Sequence, residues 1–491
     1  QIDHIEVLRG PAAAVYGSDA IGGVIQLFTR KGEGKAAPYV GIGYGTYNTR
    51  KVEAGVSGAA GEGGAFDYSL GIAHEESDGF DSRTGVSHNP DLDGFRSTSA
   101  HARLGFQINR TQRLDATLLA NDLNSGYDAL SYDPLQPADD RNLERLRTAG
   151  LTWSSQWTEA YSTKLSVTGS TSRYESTPSP YLAETQLHGY LFQNEYRVGP
   201  HLFTAALERR EDHLFNPALD PFSTTIDGNR TQNGLALGYG YHAGPQTLQL
   251  NVRRDNDSAF GGRTSGSAAY GYAITPQWRA TASTATAFRA PTLYQLFSQY
   301  GVPNLEPEIS HNLELGLHYR QGAGNFNVVA YRNRVSNLIS FAAHGPCAFV
   351  FGCYANTAQA EYSGVTISGG QQFGLLNVHA SLDVQDPRDL GTGHLLARRA
   401  RRHGTLGADT QVAGWTVGAE AQFSSRRYDD AANLQPLGGY ALLGLYASTH
   451  LSKDWTLLAR VDNLADKNYQ LAYTYTTPGR TFYAGLKWAP Q

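Results

Sequence analysis

Ten tight turns, separated by much longer polar connections, constrain this chain more than any other feature. They read GEGG at 61–64, NRTQ at 109–112, WTEA at 157–160, VGPH at 198–201 and AGPQ at 243–246. Then come TPQW at 275–278, GAGN at 322–325, FGLL at 373–376, VAGW at 412–415 and SKDW at 452–455. The segments between them alternate with period two. Val40, Ile42 and Tyr44 fall on one face and Gly41 and Gly43 on the other, while Trp415, Val417, Ala419, Ala421 and Phe423 share a face. Such alternation means strands with two different environments. A soluble sandwich alternates in the same way, so the connections decide. Short turns at one rim and long loops at the other define a transmembrane β-barrel. If both chain ends lie at the short-turn rim, ten turns imply 22 strands. In the last of them, Phe482, Ala484, Leu486 and Trp488 share one face and end on an interfacial aromatic.

Composition agrees. The 491 residues include 54 glycines and 29 tyrosines, with hydrophobic residues at 40%. No apolar run approaches the roughly 18 residues of a membrane helix. The net charge of −5 offers no basic footprint for nucleic acid.

The stretch EVLRGPAAAVYGSDAIGGVIQLFTRKG, starting at Glu6, carries Gly10, Gly17, Gly22 and Gly23. A phosphate-binding loop needs Lys-Ser/Thr after its last glycine, and here Val24 and Ile25 follow. A dinucleotide fingerprint needs G-x-G-x-x-G opening a helix, and here a strand follows. Ser18 and Asp19 have no histidine marked to complete a hydrolytic triad, so no enzyme is expected.

The segment IEVLRGPAAAVYGSDAIGGVIQLFTRK resembles the end of the plug domain of TonB-dependent outer-membrane receptors. TAFRAPTLYQLF (286–297), PNLEPE (303–308) and VDNLADKNY (461–469) resemble barrel segments of that family, in the family's order. The resemblance implies a plug remnant at 1–35 and a 22-stranded antiparallel barrel at 36–491, in the outer membrane of a Gram-negative bacterium. It implies that Gly22 and Gly23 turn the last plug strand against the barrel wall. Its outer face would meet lipid and lipopolysaccharide. TonB would be the energising partner through an N-terminal segment that this sequence does not contain, so the chain reads as a fragment.

Carboxylates gather in the first long loops. One holds Asp78, Asp81, Asp91 and Asp93, and the next holds Asp128, Asp133, Asp139 and Asp140. Asn89-x-Asp91-x-Asp93-Gly94 copies half of an EF-hand loop, but Ala100 stands where its bidentate Glu belongs. The residues alone allow either solvated acids or a Ca²⁺ site assembled from two loops. Within the family, these loops resemble those of the cobalamin receptors. That resemblance implies Ca²⁺ ligation by Asp81, Asp91, Asp93, Asp128 and Asp140, with Asp139 competing for the last place. It also implies that Tyr127 and Arg427 approach a corrinoid ligand. RRDNDSAFGGRT (253–264), YRNRVSNLISF (331–341) and LLARRARRHG (395–404) resemble the same receptors. A ferric siderophore or haem receptor is the nearest alternative. A passive porin fits less well, because of the plug and because 22 strands exceed the 16–18 usual in porins. Cys347 and Cys353, the only cysteines, lie in a loop-like segment and are expected to form a local disulfide.

Overall fold

The computed structural model describes all residues except 1, 11, 86–87, 129–138, 179, 222, 343–351, 357–358 and 491. The chain opens with a two-stranded antiparallel hairpin, β1 (Ile2–Arg9) against β2 (Gly23–Thr29), in register Val7 with Ile25. A single helical turn, α1 (Ala13–Tyr16), lies between them. From Ala37 onward, 22 antiparallel strands form one closed barrel. It begins with β3 (Ala37–Gly45), β4 (Thr49–Ala60), β5 (Phe66–Ser77), β6 (Phe95–Gln107), β7 (Gln112–Gly126) and β8 (Arg141–Gln156). The final strand, Thr481–Trp488, closes on β3 in register Leu486 with Ile42. Closure leaves no strand edge unpaired in lipid, where an unsatisfied backbone group is costly.

The ten tight turns all connect neighbouring barrel strands. The rim they form is lined with aromatics, as a membrane interface requires. Trp278 packs on Tyr319 at 4.8 Å, and Trp455 stands opposite Trp488. The strand faces follow from the residues. Val40, Ile42 and Tyr44 are 44%, 55% and 59% exposed on the outer wall. They pair across the seam with Trp488, Leu486 and Ala484. Gly41 and Gly43 back onto the inner side chains of Glu53 and Tyr483.

The hairpin docks inside through α1. Ala13 and Ala14 are buried, and α1 packs against the strands Gln246–Asp257, Gly261–Ala273 and Trp278–Arg289. Arg210 donates from Nη2 to the Tyr16 carbonyl at 2.9 Å and from Nη1 to the Ser18 carbonyl at 3.3 Å. Gly17 sits between them at φ +82°, where a Cβ would lie 3.1 Å from Arg253 Nη2. Only glycine combines that conformation with that approach.

The expected role of Gly22 and Gly23 is corrected. A Cβ on Gly22 would meet nothing within 4 Å, and one on Gly23 would collide with the Leu8 carbonyl inside the hairpin itself. Gly23 therefore serves the pairing of β2 with β1. Close approach to the wall happens at Gly32, whose Cβ would overlap the Gly58 and Tyr68 carbonyls of β4 and β5.

Candidate ligand and metal site

At the rim opposite the tight turns, the described residues of the connections 78–94 and 127–140 lie side by side. Backbone hydrogen bonds fix them. Asp78 N–H donates to Tyr47 O, Asp93 N–H to Phe80 O, Gly126 N–H to Gly94 O and Tyr127 N–H to Asp140 O, all between 2.8 and 3.1 Å. The Arg83 guanidinium crosses from one loop to the other, donating to the Asp128 carbonyl at 3.2 Å.

This folding brings three of the predicted carboxylates together. Asp91, Asp93 and Asp128 each present one oxygen within 4.8 Å of the others. Asp93 accepts from the Ser82 N–H at 3.0 Å, and Asp91 from the Asn89 side chain at 2.6 Å. Asp128 is 5% exposed, and neither of its carboxylate oxygens has a formed hydrogen bond among the described residues. Burial pushes its carboxyl up to about 6, and the charges of Asp93, Asp91 and Asp81 push it the same way. A weak interaction with the Asn89 backbone N–H opposes them. Asp91 is raised as well, by burial first and then by Asp93, Asp139 and Asp81. Crowded carboxylates favour either protons or a hard cation.

The other predicted positions stand differently. Asp81 acts on the cluster by charge, while its own oxygens face the Arg83 N–H at 3.2 Å and His88 at 3.5 Å. Asp140 touches the loop pair through its backbone carbonyl. Asp139, whose carboxylate lies 3.4 Å from Arg141, is the one of the two whose charge acts on Asp91. Tyr127 is half-buried beside Asp128. Asp133 and Cys347 lie outside the described residues, and Cys353 is fully buried.

Arg427 is buried elsewhere on this rim. It donates to the Gln470 carbonyl at 2.6 Å and lies over the Tyr440 ring at 5.5 Å, while its Nη1 has no hydrogen-bond partner among the described residues. The segment after Gln470 completes a layer that the sequence reading missed. Thr476 donates to the Asp81 carbonyl at 2.6 Å, Thr84 N–H donates to the Thr474 carbonyl at 2.7 Å, and Arg83 lies over Tyr475. These partners stand nearly 400 residues apart, and no local pattern marks them.

A closed 22-stranded barrel with a hairpin in its lumen is the architecture of a plugged transmembrane barrel. The chain belongs to the TonB-dependent receptor family. Residues 37–464 match the family described as "TonB dependent receptor-like, beta-barrel", and residues 1–24 match "TonB-dependent Receptor Plug Domain". It is 27% identical over 488 residues to the vitamin B12 transporter BtuB of Photobacterium profundum, covering 98% of this chain and 79% of that protein. Among solved structures it resembles the ferric enterobactin receptor PfeA of Pseudomonas aeruginosa (a G324V mutant), with TM-score 0.86 and 20% identity, over 100% of this chain and 85% of that one. The siderophore receptor PirA of Acinetobacter baumannii gives TM-score 0.85 and 18% identity, over 99% and 85%. At these identities the solved structures speak for the fold alone.

Proposed function

We propose that this TonB-dependent transporter takes up cobalamin or a related corrinoid, and that Ca²⁺ orders the loops that receive it. The observation that carries this reading is the Asp91–Asp93–Asp128 cluster, with its buried Asp128 carboxylate lacking a formed hydrogen bond among the described residues. The likeness to a vitamin B12 transporter along nearly the whole chain supports the ligand. Asp91, Asp93 and Asp128 would hold the ion, with Asp81 and either Asp139 or Asp140 within reach of its field. Bound there, Ca²⁺ supplies the positive charge that these carboxylates lack. The chain's own part is to present Tyr127 and Arg427 to the ligand from loops already in place, which lowers the ordering cost of binding. Release into the periplasm requires TonB-driven rearrangement of the plug.

The test is cyanocobalamin binding to the full-length protein with and without Ca²⁺, against a ferric siderophore. Calcium-dependent binding of cobalamin alone supports the reading. Binding of the siderophore alone replaces it with the second reading, siderophore uptake.

A pH dependence follows from Asp128. Its carboxyl is raised in the folded loops, so the folded form holds its proton more tightly than the unfolded chain does. Without metal, the loops should gain stability as pH falls through about 6. Ca²⁺ needs the deprotonated group, so its affinity should fall in the same window, by about tenfold one unit below that pKa. Calcium titration by calorimetry at pH 7.5 and pH 5.0 measures this, and equal affinities would remove Asp128 from the ligand set.

The same reading keeps the Cys347–Cys353 disulfide, since an outer-membrane protein matures through an oxidising compartment. Alkylation of non-reduced protein should recover no free thiol. Two alkylated cysteines would show that the pair is open.

A further inference from the structure

The segment between Gln470 and Thr476 contains a strained turn whose role the ligand reading leaves open. Thr474 sits at φ +69°. It is the only β-branched residue among the described non-glycine residues with a positive φ. A β-branched side chain is crowded in that conformation, which glycine and asparagine adopt with less cost. Locally the turn is closed by one bond, from the Tyr475 N–H to the Ala472 carbonyl at 3.2 Å. Strain of this kind persists where the surroundings over-determine the backbone.

Here the surroundings are the acidic loop. Thr84 donates twice to the Thr474 carbonyl, from its N–H at 2.7 Å and from Oγ1 at 3.2 Å. Thr476 donates from its N–H to the Ser82 carbonyl at 2.9 Å and from Oγ1 to the Asp81 carbonyl at 2.6 Å. Ser82 is the junction, because its own N–H donates to the Asp93 carboxylate at 3.0 Å. Next to it, Arg83 reaches the Asp128 carbonyl. The bonds that hold the turn therefore share residues with the bonds that hold the carboxylate cluster.

The other end of the segment leads to Arg427. The Tyr473 N–H donates to Asp429 Oδ1 at 3.1 Å, and the same oxygen accepts from Arg398 Nε at 2.7 Å. Arg427 Nη2 donates to the Gln470 carbonyl, so the buried guanidinium takes its place from this carbonyl and from the Tyr440 ring.

We propose that Thr474 is a positioning residue, whose strained turn passes the order of the cation-bound acidic loop to Asp429 and Arg427. Without a cation the crowded carboxylates repel, and the bonds from Ser82 and Thr84 loosen. Thr474 then relaxes to negative φ, which draws the Tyr473 N–H and the Gln470 carbonyl away from their partners. With the charge compensated, the loop stays in place and the turn with it. Ordering the loop and holding the turn are one event, so a change that lowers the cost of the turn must strengthen cation binding. The proposal rests on the cation reading above and is independent of which ligand the transporter carries.

The test is calcium calorimetry with hydrogen exchange on the full-length protein in detergent. Thr474→Gly removes the crowding and should bind Ca²⁺ several-fold more tightly, although residue 474 supplies no carboxylate. Thr474→Asn should act in the same direction without adding backbone freedom, and it decides the matter if the glycine variant does not fold. Thr474→Val keeps the β-branch and should match the parent. In the parent, Ca²⁺ should slow exchange of the Tyr473 amide about tenfold or more. In Thr474→Gly that amide should be slow already, and the calcium effect on it should shrink several-fold. A residue with a merely structural role would weaken calcium binding in all three variants. Unchanged or weaker calcium binding in Thr474→Gly and Thr474→Asn, or a Tyr473 amide indifferent to bound Ca²⁺, would overturn the proposal and leave the cation reading standing. Absence of calcium binding to the parent would overturn both.

Discussion

Replacing Asp93 and Asp128 together by Asn should abolish the calcium dependence of cobalamin binding while leaving the barrel folded. The two residues come from different loops and meet within 4.8 Å, so no single loop can make the site without both. Calcium affinity depends steeply on the number of charged oxygens, and losing two carboxylates should weaken it on the order of 100-fold. The effect on the ligand follows from linkage. If the ion orders the loops that receive cobalamin, each must strengthen the other by the same factor, and the double change should reduce that factor to one. Calorimetry of calcium and of cyanocobalamin, each with and without the other, measures all four corners. The change should also relieve the crowding that raises Asp128 and Asp91, so the metal-free loops should exchange amide hydrogens more slowly than in the parent. Cobalamin binding indifferent to both calcium and this double change would move the assignment to a siderophore.

Placing Arg at Ile42 should be the most damaging single substitution on the first barrel strand. Ile42 is 55% exposed on the outer wall, flanked in register by Leu486 and Val52. Such a change costs about 2–4 kcal/mol near the bilayer midplane. One residue further along β4, Glu53 points inward and packs over Gly41, and Glu53→Gln should stay within about 0.5 kcal/mol. Denaturant unfolding in lipid vesicles compares the two. Equal stability of the Arg variant and the parent would mean that the wall faces are reversed.

Much of this was legible beforehand, for a physical reason. Strand and turn signals are local, and lipid permits only closed strand structures, so counting ten turns was enough to fix 22 strands. Alternation likewise placed Val40, Ile42 and Tyr44 outside. The glycines were less transparent. Spacing marked Gly22 and Gly23 as special, but it could not say whether they meet the wall or their own hairpin, and Gly32 drew no notice at all.

The sequence by itself determined which residues are carboxylates, which loops they occupy and which wall faces lipid, because each of these is a property of neighbours along the chain. Tertiary structure alone decided that Asp91, Asp93 and Asp128 converge while Asp81 acts by charge and Asp140 through its backbone. It alone tied Ser82 and Thr84 to Thr476 and Thr474. Those placements depend on barrel closure and strand register, which join residues far apart in sequence, and no period-two pattern encodes which strand ends will meet.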